Sequence, residues 1–207
     1  MNKLSKNETL ERISAIIPPN LGGFGAENSG GSSVSTQEGG LLYAICKVFQ
    51  PKKIIETGTH HGTTTNYLLK YCSEDEGHVY SFDVIRAGQS ILPELKMNNL
   101  TLTTPKRLLL RPKGDEKDVS FIRNAVKSCA NDNGCDLFLH DSDHRYENVR
   151  WEWDTIRPHM VTNQIVVLHD VLGNSDMLQT NQLFDEVVDC QWKHIFETEN
   201  GLGLIVL

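Results

Sequence analysis

The sequence predicts an α/β protein: a mostly parallel sheet, helices on both faces and an antiparallel strand at the end. Three observations predict it. From residue 40 onward, short apolar runs rich in β-branched residues alternate with longer amphipathic stretches. Successive strand-like runs end in acidic residues. The last two runs, 192–198 and 201–207, are joined through Asn200-Gly201, a tight-turn signal for an antiparallel hairpin.

Residues 4–17 read as a short helix, and 18–40, rich in Gly, Ser, Pro and Asn, as a loop that orders over something. GLLYAICKVF (40–49) reads as a helix and KKIIET (52–57) as a strand. A helix over 63–72 follows, with threonines placed to cap its start. Strand 78–84, a helix over 89–99 interrupted by Pro93, and strand 107–112 come next. Helix 118–130, strand 135–141, a helix over 147–159 that stops at Pro158, strand 164–170 and helix 177–189 complete the alternation. The expected organisation is an N-terminal helix and lid segment, 1–40, before one ligand-binding domain, 41–207.

A chain of 207 residues is long enough for one domain with a full core. Hydrophobic residues make up 39% and charged residues 23%, a globular balance. The net charge of -7 argues against nucleic acid as a partner, because phosphate binding needs a basic face. No apolar run is long enough to span a membrane, and the charged N-terminus does not read as a signal peptide. The five scattered cysteines contain no CxxC and read as reduced buried thiols. A cytoplasmic protein acting on a small molecule is expected, with homodimerisation as a further expectation.

Ligands of open α/β sheets sit at the carboxyl ends of the strands. That edge here carries Glu56 with Gly58, Asp83, Gly114-Asp115, Asp141 with Asp143, and His169-Asp170. The segment IIETGTHHGTTT (54–65) lacks the lysine of a phosphate-binding P-loop, and its glycines are spaced GxxxG where a dinucleotide loop has GxGxxG. Glu56 would also set a negative charge near a pyrophosphate. A ligand with a positive centre, a carboxylate and a ribose fits better. Glu56 would attract an ammonium group, directly or through backbone and water. Gly58 would allow close backbone approach, and the amides at the next helix start would favour a carboxylate. Asp83 is placed for ribose hydroxyls and Asp115 for an adenine amine. S-adenosylmethionine meets this description.

The segment SVSTQEGGLLYAICKVFQPKKIIETGTHHGTTTNYLL resembles class I S-adenosylmethionine-dependent methyltransferases. It looks most like the small cation-dependent O-methyltransferases of the catechol, caffeoyl-CoA and bacterial sugar and antibiotic kind. The E-x-G-x-x-x-G of Glu56 to Gly62 and the terminal hairpin carry the likeness. The resemblance implies a seven-stranded Rossmann-like methyltransferase fold and a transferase that methylates a small-molecule hydroxyl. It places Glu56, Gly58, Thr59, His60, Gly62, Thr63, Thr64, Asp83, Asp115 and Asp141 at the cofactor. Ser35, Thr36 and Gln37 are placed near its carboxylate. Asp141, His169 and Asp170 fall on the positions of a divalent cation that lowers the acceptor's pKa. His169 stands where those families more often have an acid, which makes Mn²⁺, Fe²⁺ or Zn²⁺ more plausible beside Mg²⁺.

Asp143 or His144 could serve as general base, although Asp143 is also placed to cap the following helix. His140 alternates with Asp141 and reads as a core histidine facing the other side. His60 and His61 read either as pocket-lining or as exposed loop residues. Two other functions share these residues: an iron-dependent hydroxylase-like relative on the same fold, and a non-catalytic S-adenosylmethionine-binding module.

Overall fold

The computed structural model describes residues 4–17, 34–84, 98–104, 116–173, 175 and 177–207. The expected helix over 89–99, apart from a turn at Asn98 and Asn99, lies outside these residues, as do the strand over 107–112, Asp115 and most of the 18–40 segment. Among the described residues the element order is α1 (Lys6–Ile16), α2 (Thr36–Phe49), β1 (Lys53–Thr57), α3 (Thr63–Asp75), β2 (His78–Phe82) and β3 (Leu100–Thr103). Then come α4 (Glu116–Asn133), β4 (Leu137–His140), α5 (Tyr146–Ile156), β5 (Ile165–His169), α6 (Thr180–Glu186), β6 (Trp192–Phe196) and β7 (Leu202–Val206).

The sheet runs β3-β2-β1-β4-β5-β7-β6. Pairing from β3 through β5 is parallel, and β7 is antiparallel to both β5 and β6. Chain order reverses between β1 and β4, so ligands of this topology bind above those two strands. Their two-residue period splits the core. Ile54, Leu137, Leu139, Val167 and Leu204 pack under α2 and α3, while Ile55, Phe138, Val166, Leu168 and Ile205 pack under α4, α5 and α6. Strands buried on both faces read as continuous apolar runs, which is why β1, β4 and β5 stand out in the sequence.

Three details differ from expectation. A strand forms at Leu100–Thr103, ahead of the run at 107–112 expected to supply one. Its LTLT alternation suits an edge strand with exposed Thr101 and Leu102. The cap of α3 is Gly62, in the left-handed region at φ 92, and no threonine side chain caps that helix. The β6–β7 connection spans residues 197–201, longer than a two-residue turn, with Gly201 at φ 80. Pro158 stops α5 as expected, through a short 3₁₀ turn at Arg157–His159.

Two helices open with the same capping box. Ser5 and Glu8 bond reciprocally at the start of α1, and Ser35 and Glu38 at the start of α2. Helix α2 then packs closely on α3 through Gly39, where an added Cβ would lie 2.1 Å from the buried Tyr67 ring. Gly39→Ala is therefore expected to cost about 1–3 kcal/mol through overpacking. A melting temperature equal to or above the parent's would show that Tyr67 repacks freely.

Candidate functional site

The site begins where β1 turns into α3. Gly58 sits at φ 92, and a Cβ there would lie 1.9 Å from the backbone oxygen of Asp141. The glycine is thus required by its own neighbour strand as much as by any ligand. Backbone bonds lock the turn in place. Gly58 N donates to Phe82 O at 2.8 Å, and Asp141 N donates to Thr57 O at 2.9 Å. The tips of β1, β2 and β4 are thereby tied together under one cavity.

That cavity has a volume of about 1000 Å³, enough for a cofactor and a small acceptor together. Its lining includes Gly58, His60, Asp83, Asp141, Asp143, His144, His169 and Asp170. Val34 and Ser35 from the start of α2, and Glu199 and Asn200 from the β6–β7 loop, close another side. Asp83 accepts the backbone N–H of His60 at 2.6 Å, which holds the loop in a conformation with His60 at φ 44. His60 stacks edge-on with His61 at 4.1 Å between ring centroids.

Five residues expected at the cofactor lie behind this wall. Glu56, Thr59, Gly62, Thr63 and Thr64 are buried and do not line the cavity. The strand period explains it: Glu56 shares a face with Ile54, so it points under α3. There its Oε2 accepts the Thr65 hydroxyl at 2.7 Å and a short bond from Ser81, which Thr59 contacts at 2.6 Å. Its Oε1 has no hydrogen-bond partner among the described residues. Burial, opposed by these two hydroxyls, pushes the Glu56 carboxyl up to about 8. The Glu56 carboxyl therefore lies beneath the turn and outside the cavity lining. Thr64 serves the neighbouring strand, donating to Asp141 Oδ2 at 3.1 Å.

Opposite Glu56, the other face of the same strand tips carries a second buried carboxylate that the sequence did not single out. Glu152 of α5 accepts Thr57 Oγ1 at 2.8 Å, His140 Nδ1 at 2.6 Å and Ser142 Oγ at 2.7 Å. Burial raises its pKa, but the His140 charge and these bonds outweigh it and hold it below the usual range. His140 is therefore the core histidine that alternation predicts. Its partner was hidden because an acid in mid-helix ordinarily faces solvent.

The remaining acids and histidines converge. Asp141, His144 and His169 each offer an atom within 4.8 Å of the others, as metal ligands would. His169 Nδ1 stands 3.1 Å from Asp141 Oδ1 and 3.3 Å from Asp170 Oδ1. His144 Nε2 stands 3.2 Å from Asp170 Oδ2 and 3.8 Å from Asp141 Oδ1. Despite these distances, His144 Nε2 and both ring nitrogens of His169 are buried without an aligned hydrogen bond. The unbonded Nδ1 of His169, set between Asp141 and Asp170, fits a ligand of a divalent cation, and the unbonded Nε2 of His144, beside the same acids, suits either a ligand or a proton acceptor.

Electrostatics separate the members. Burial disfavours charge on His169, but Asp141, Asp170 and Glu38 overcome it and push the imidazole up to about 12. Asp141 is lowered despite burial, chiefly by His169. Burial, then the charge of His140, holds His144 below 6.5. Asp143 is bound to its own neighbour: Arg145 Nε donates to it at 2.9 and 3.0 Å, its NH2 contacts it more closely still, and its carboxyl is lowered by that pairing. A carboxylate so engaged is a weak base. Nor does it cap α5, whose N-cap is Arg145, without a side-chain bond.

A family model described as a methyltransferase domain matches residues 55–171, from β1 to just past β5. No curated protein matches the chain. Among solved structures, the O-methyltransferase from Bacillus cereus in complex with SAH is similar at a TM-score of 0.66 and 15% identity, covering 100% of this chain and 94% of that one. TomG, an O-methyltransferase of Streptomyces achromogenes involved in tomaymycin synthesis and solved with SAM, gives 0.62 and 14%, covering 100% and 92%. MycE, a methyltransferase from the mycinamycin pathway solved with Mg, SAH and mycinamycin VI, gives 0.51 and 13%, covering 76% and 45%. At these identities the likeness is one of fold.

The buried Glu56 carboxyl supplies a pH test. Its pKa is higher folded, about 8, than the ordinary 4.5, so the folded state holds the extra proton between those values. Parental stability should therefore fall as pH rises from 4.5 through about 8, and Glu56→Gln should remove that part of the slope. Parallel stability-versus-pH curves for parent and variant, from urea titrations, would refute the assignment.

Proposed function

The chain belongs to the methyltransferase-domain family, and from that premise we propose that it transfers a methyl group from S-adenosylmethionine to a hydroxyl oxygen of a small acceptor. One observation carries the reading. The Gly58 turn touches the Asp141 backbone, so the cofactor turn and the acid–histidine cluster form one wall of one cavity. A methyl donor over the turn would present its sulfonium to an acceptor held at the cluster.

The roles divide by geometry. The Gly58 turn and the start of α2 receive the amino-acid part of the cofactor, and Asp83 accepts bonds from its ribose. Asp115 is assigned to the adenine amine from its place in the sequence, after the third expected strand. The complexes of similar structures with SAH and SAM support the choice of cofactor. Asp141, His169 and Asp170 would hold a divalent cation, Mg²⁺, Mn²⁺ or Fe²⁺, which when bound lowers the pKa of the acceptor's hydroxyl. The Mg in the MycE complex supports that assignment. His144 takes the hydroxyl proton at Nε2, because burial keeps the ring neutral near pH 7 and that nitrogen is unbonded. Asp143 holds Arg145 and is not assigned the proton. Alignment of nucleophile, methyl and sulfur, and exclusion of water, supply the rest of the rate.

The family match to a methyltransferase domain disfavours the iron-hydroxylase and binding-module readings. We also read the protein as cytoplasmic and without a nucleic-acid partner. Five free cysteines and a net charge of -7 support this. No helix among the described residues is long and apolar enough to cross a membrane.

Two measurements test the reading. S-adenosylmethionine or S-adenosylhomocysteine at about a hundred times Kd should stabilise the fold by roughly 2.7 kcal/mol, a melting shift on the order of 5–10 °C, with no response to NAD. Absence of a shift with both adenosyl ligands would sink the proposal. Once an acceptor is found, His144→Ala should lower kcat by about 10²–10⁴ while retaining Mn²⁺ binding. His169→Ala should lose Mn²⁺ binding itself. Equal Mn²⁺ affinities in parent and His169→Ala would break the division of roles.

A further inference from the structure

Glu38 is buried beyond what its local role requires. It closes the capping box of α2, with Ser35 N and Ser35 Oγ donating to its Oε2 at 2.9 Å each. The chain contains an internal control for that motif. Glu8 makes the same box at α1, with Ser5 N at 2.9 Å and Ser5 Oγ at 2.7 Å, and remains exposed. A cap therefore does not need a buried acid. Glu38 is 0% exposed, and burying a carboxylate is costly unless it is matched from every side.

The match comes from outside the helix. Glu38 Oε1 accepts Thr198 Oγ1 at 2.7 Å and Asn200 N at 3.4 Å, both from the β6–β7 loop. Glu38 Oε2 forms an ion pair with His169 Nε2 at 3.6 Å. The other nitrogen of that ring, Nδ1, faces Asp141 and Asp170. One imidazole edge thus meets the acid cluster and the opposite edge meets a buried carboxylate. A histidine that binds metal through one nitrogen commonly directs its other N–H to such a carboxylate, which fixes tautomer and ring orientation.

We propose that Glu38 is the positioning residue of the cation site: its buried negative charge, 3.6 Å from His169 Nε2, favours the tautomer with the proton on that nitrogen and so leaves Nδ1, between Asp141 and Asp170, as the one that would meet a cation. The same side chain ties the β6–β7 loop and the first turn of α2, both on the cavity wall, to that site. The inference rests on the divalent-cation reading above and adds to it a residue on a different helix, outside the matched 55–171 segment.

The test is Mn²⁺ affinity of the full chain, measured by calorimetric titration with manganese chloride. Glu38→Gln keeps the capping box, since glutamine serves at that position, but removes the charge facing His169. It should weaken Mn²⁺ binding by about 10–100-fold. Gly39→Ala, which strains the same helix against Tyr67 and leaves Glu38 in place, is the control for general damage and should bind like the parent. Glu38→Gln binding with parental affinity would overturn the inference and leave the cation site standing. Equal weakening in both variants would assign the effect to helix damage and also overturn it. A parent that does not bind Mn²⁺ would remove the cation reading and the inference with it.

Discussion

The contact between the Gly58 turn and the end of β4 is the constraint on which the site depends. No side chain fits between the two backbones, because a Cβ at Gly58 would overlap the Asp141 carbonyl. The packing forces a glycine at φ 92 and sets Asp141 directly beside the Gly58 turn. Thr64, on the first turn of α3, then reaches Asp141 Oδ2. A helix that starts after the turn therefore orients an acid on the next strand over. In a sheet whose order reverses between β1 and β4, those tips cannot drift apart without breaking the Asp141–Thr57 backbone bond.

Beneath this junction the two faces of the strands are wired differently. On the α3 face Glu56 finds only hydroxyl partners, from Thr65 and Ser81, and its second oxygen finds none. On the α5 face Glu152 finds His140 besides two hydroxyls. Hydroxyls donate to a carboxylate but bring no charge, so burial dominates at Glu56 and favours its neutral form. Glu152 has the His140 ring nitrogen at 2.6 Å as well, and its carboxyl is lowered despite burial. Both residues stabilise the strand tips from below, and the register that pairs Glu56 with Ser81 and Thr57 with His140 makes each arrangement possible.

The legible parts of the sequence were those with a period. The runs around Ile54-Ile55, Phe138 and Val166-Val167 are apolar on both faces and could only be central strands. Glycines with a positive φ, Gly58, Gly62 and Gly201, marked turns for the same steric reason. The acids at strand ends marked the edge of the site, and His144, His169, Asp141 and Asp170 were legible as a group because they end neighbouring strands. What escaped were side chains whose role depends on a distant partner. Glu38 reads locally as a helix cap and Glu152 as a solvated helix residue. Neither sequence position reveals the histidine each one faces. Strand β3 escaped because LTLT is short and lies on an edge.

These carboxylates together explain why a positive ligand suits the cavity. Asp141 and Glu38 are both held ionised by His169, with Glu38 lowered to about 2 by its bonds against the pull of burial. Asp170 stands beside the same ring, and Asp83 faces the cavity from β2. One imidazolium cannot neutralise three neighbouring carboxylates, so the floor of the site keeps a negative field inside a wall of low dielectric. A divalent ion can relieve that field, displacing the proton from Nδ1 of His169, and a sulfonium next to it is attracted by whatever charge remains. A phosphate would be repelled by the same groups. The preference for cations thus comes not from Glu56, the acid that argued against a pyrophosphate in the sequence, but from Asp141, Asp170, Asp83 and Glu38, residues on four separate elements.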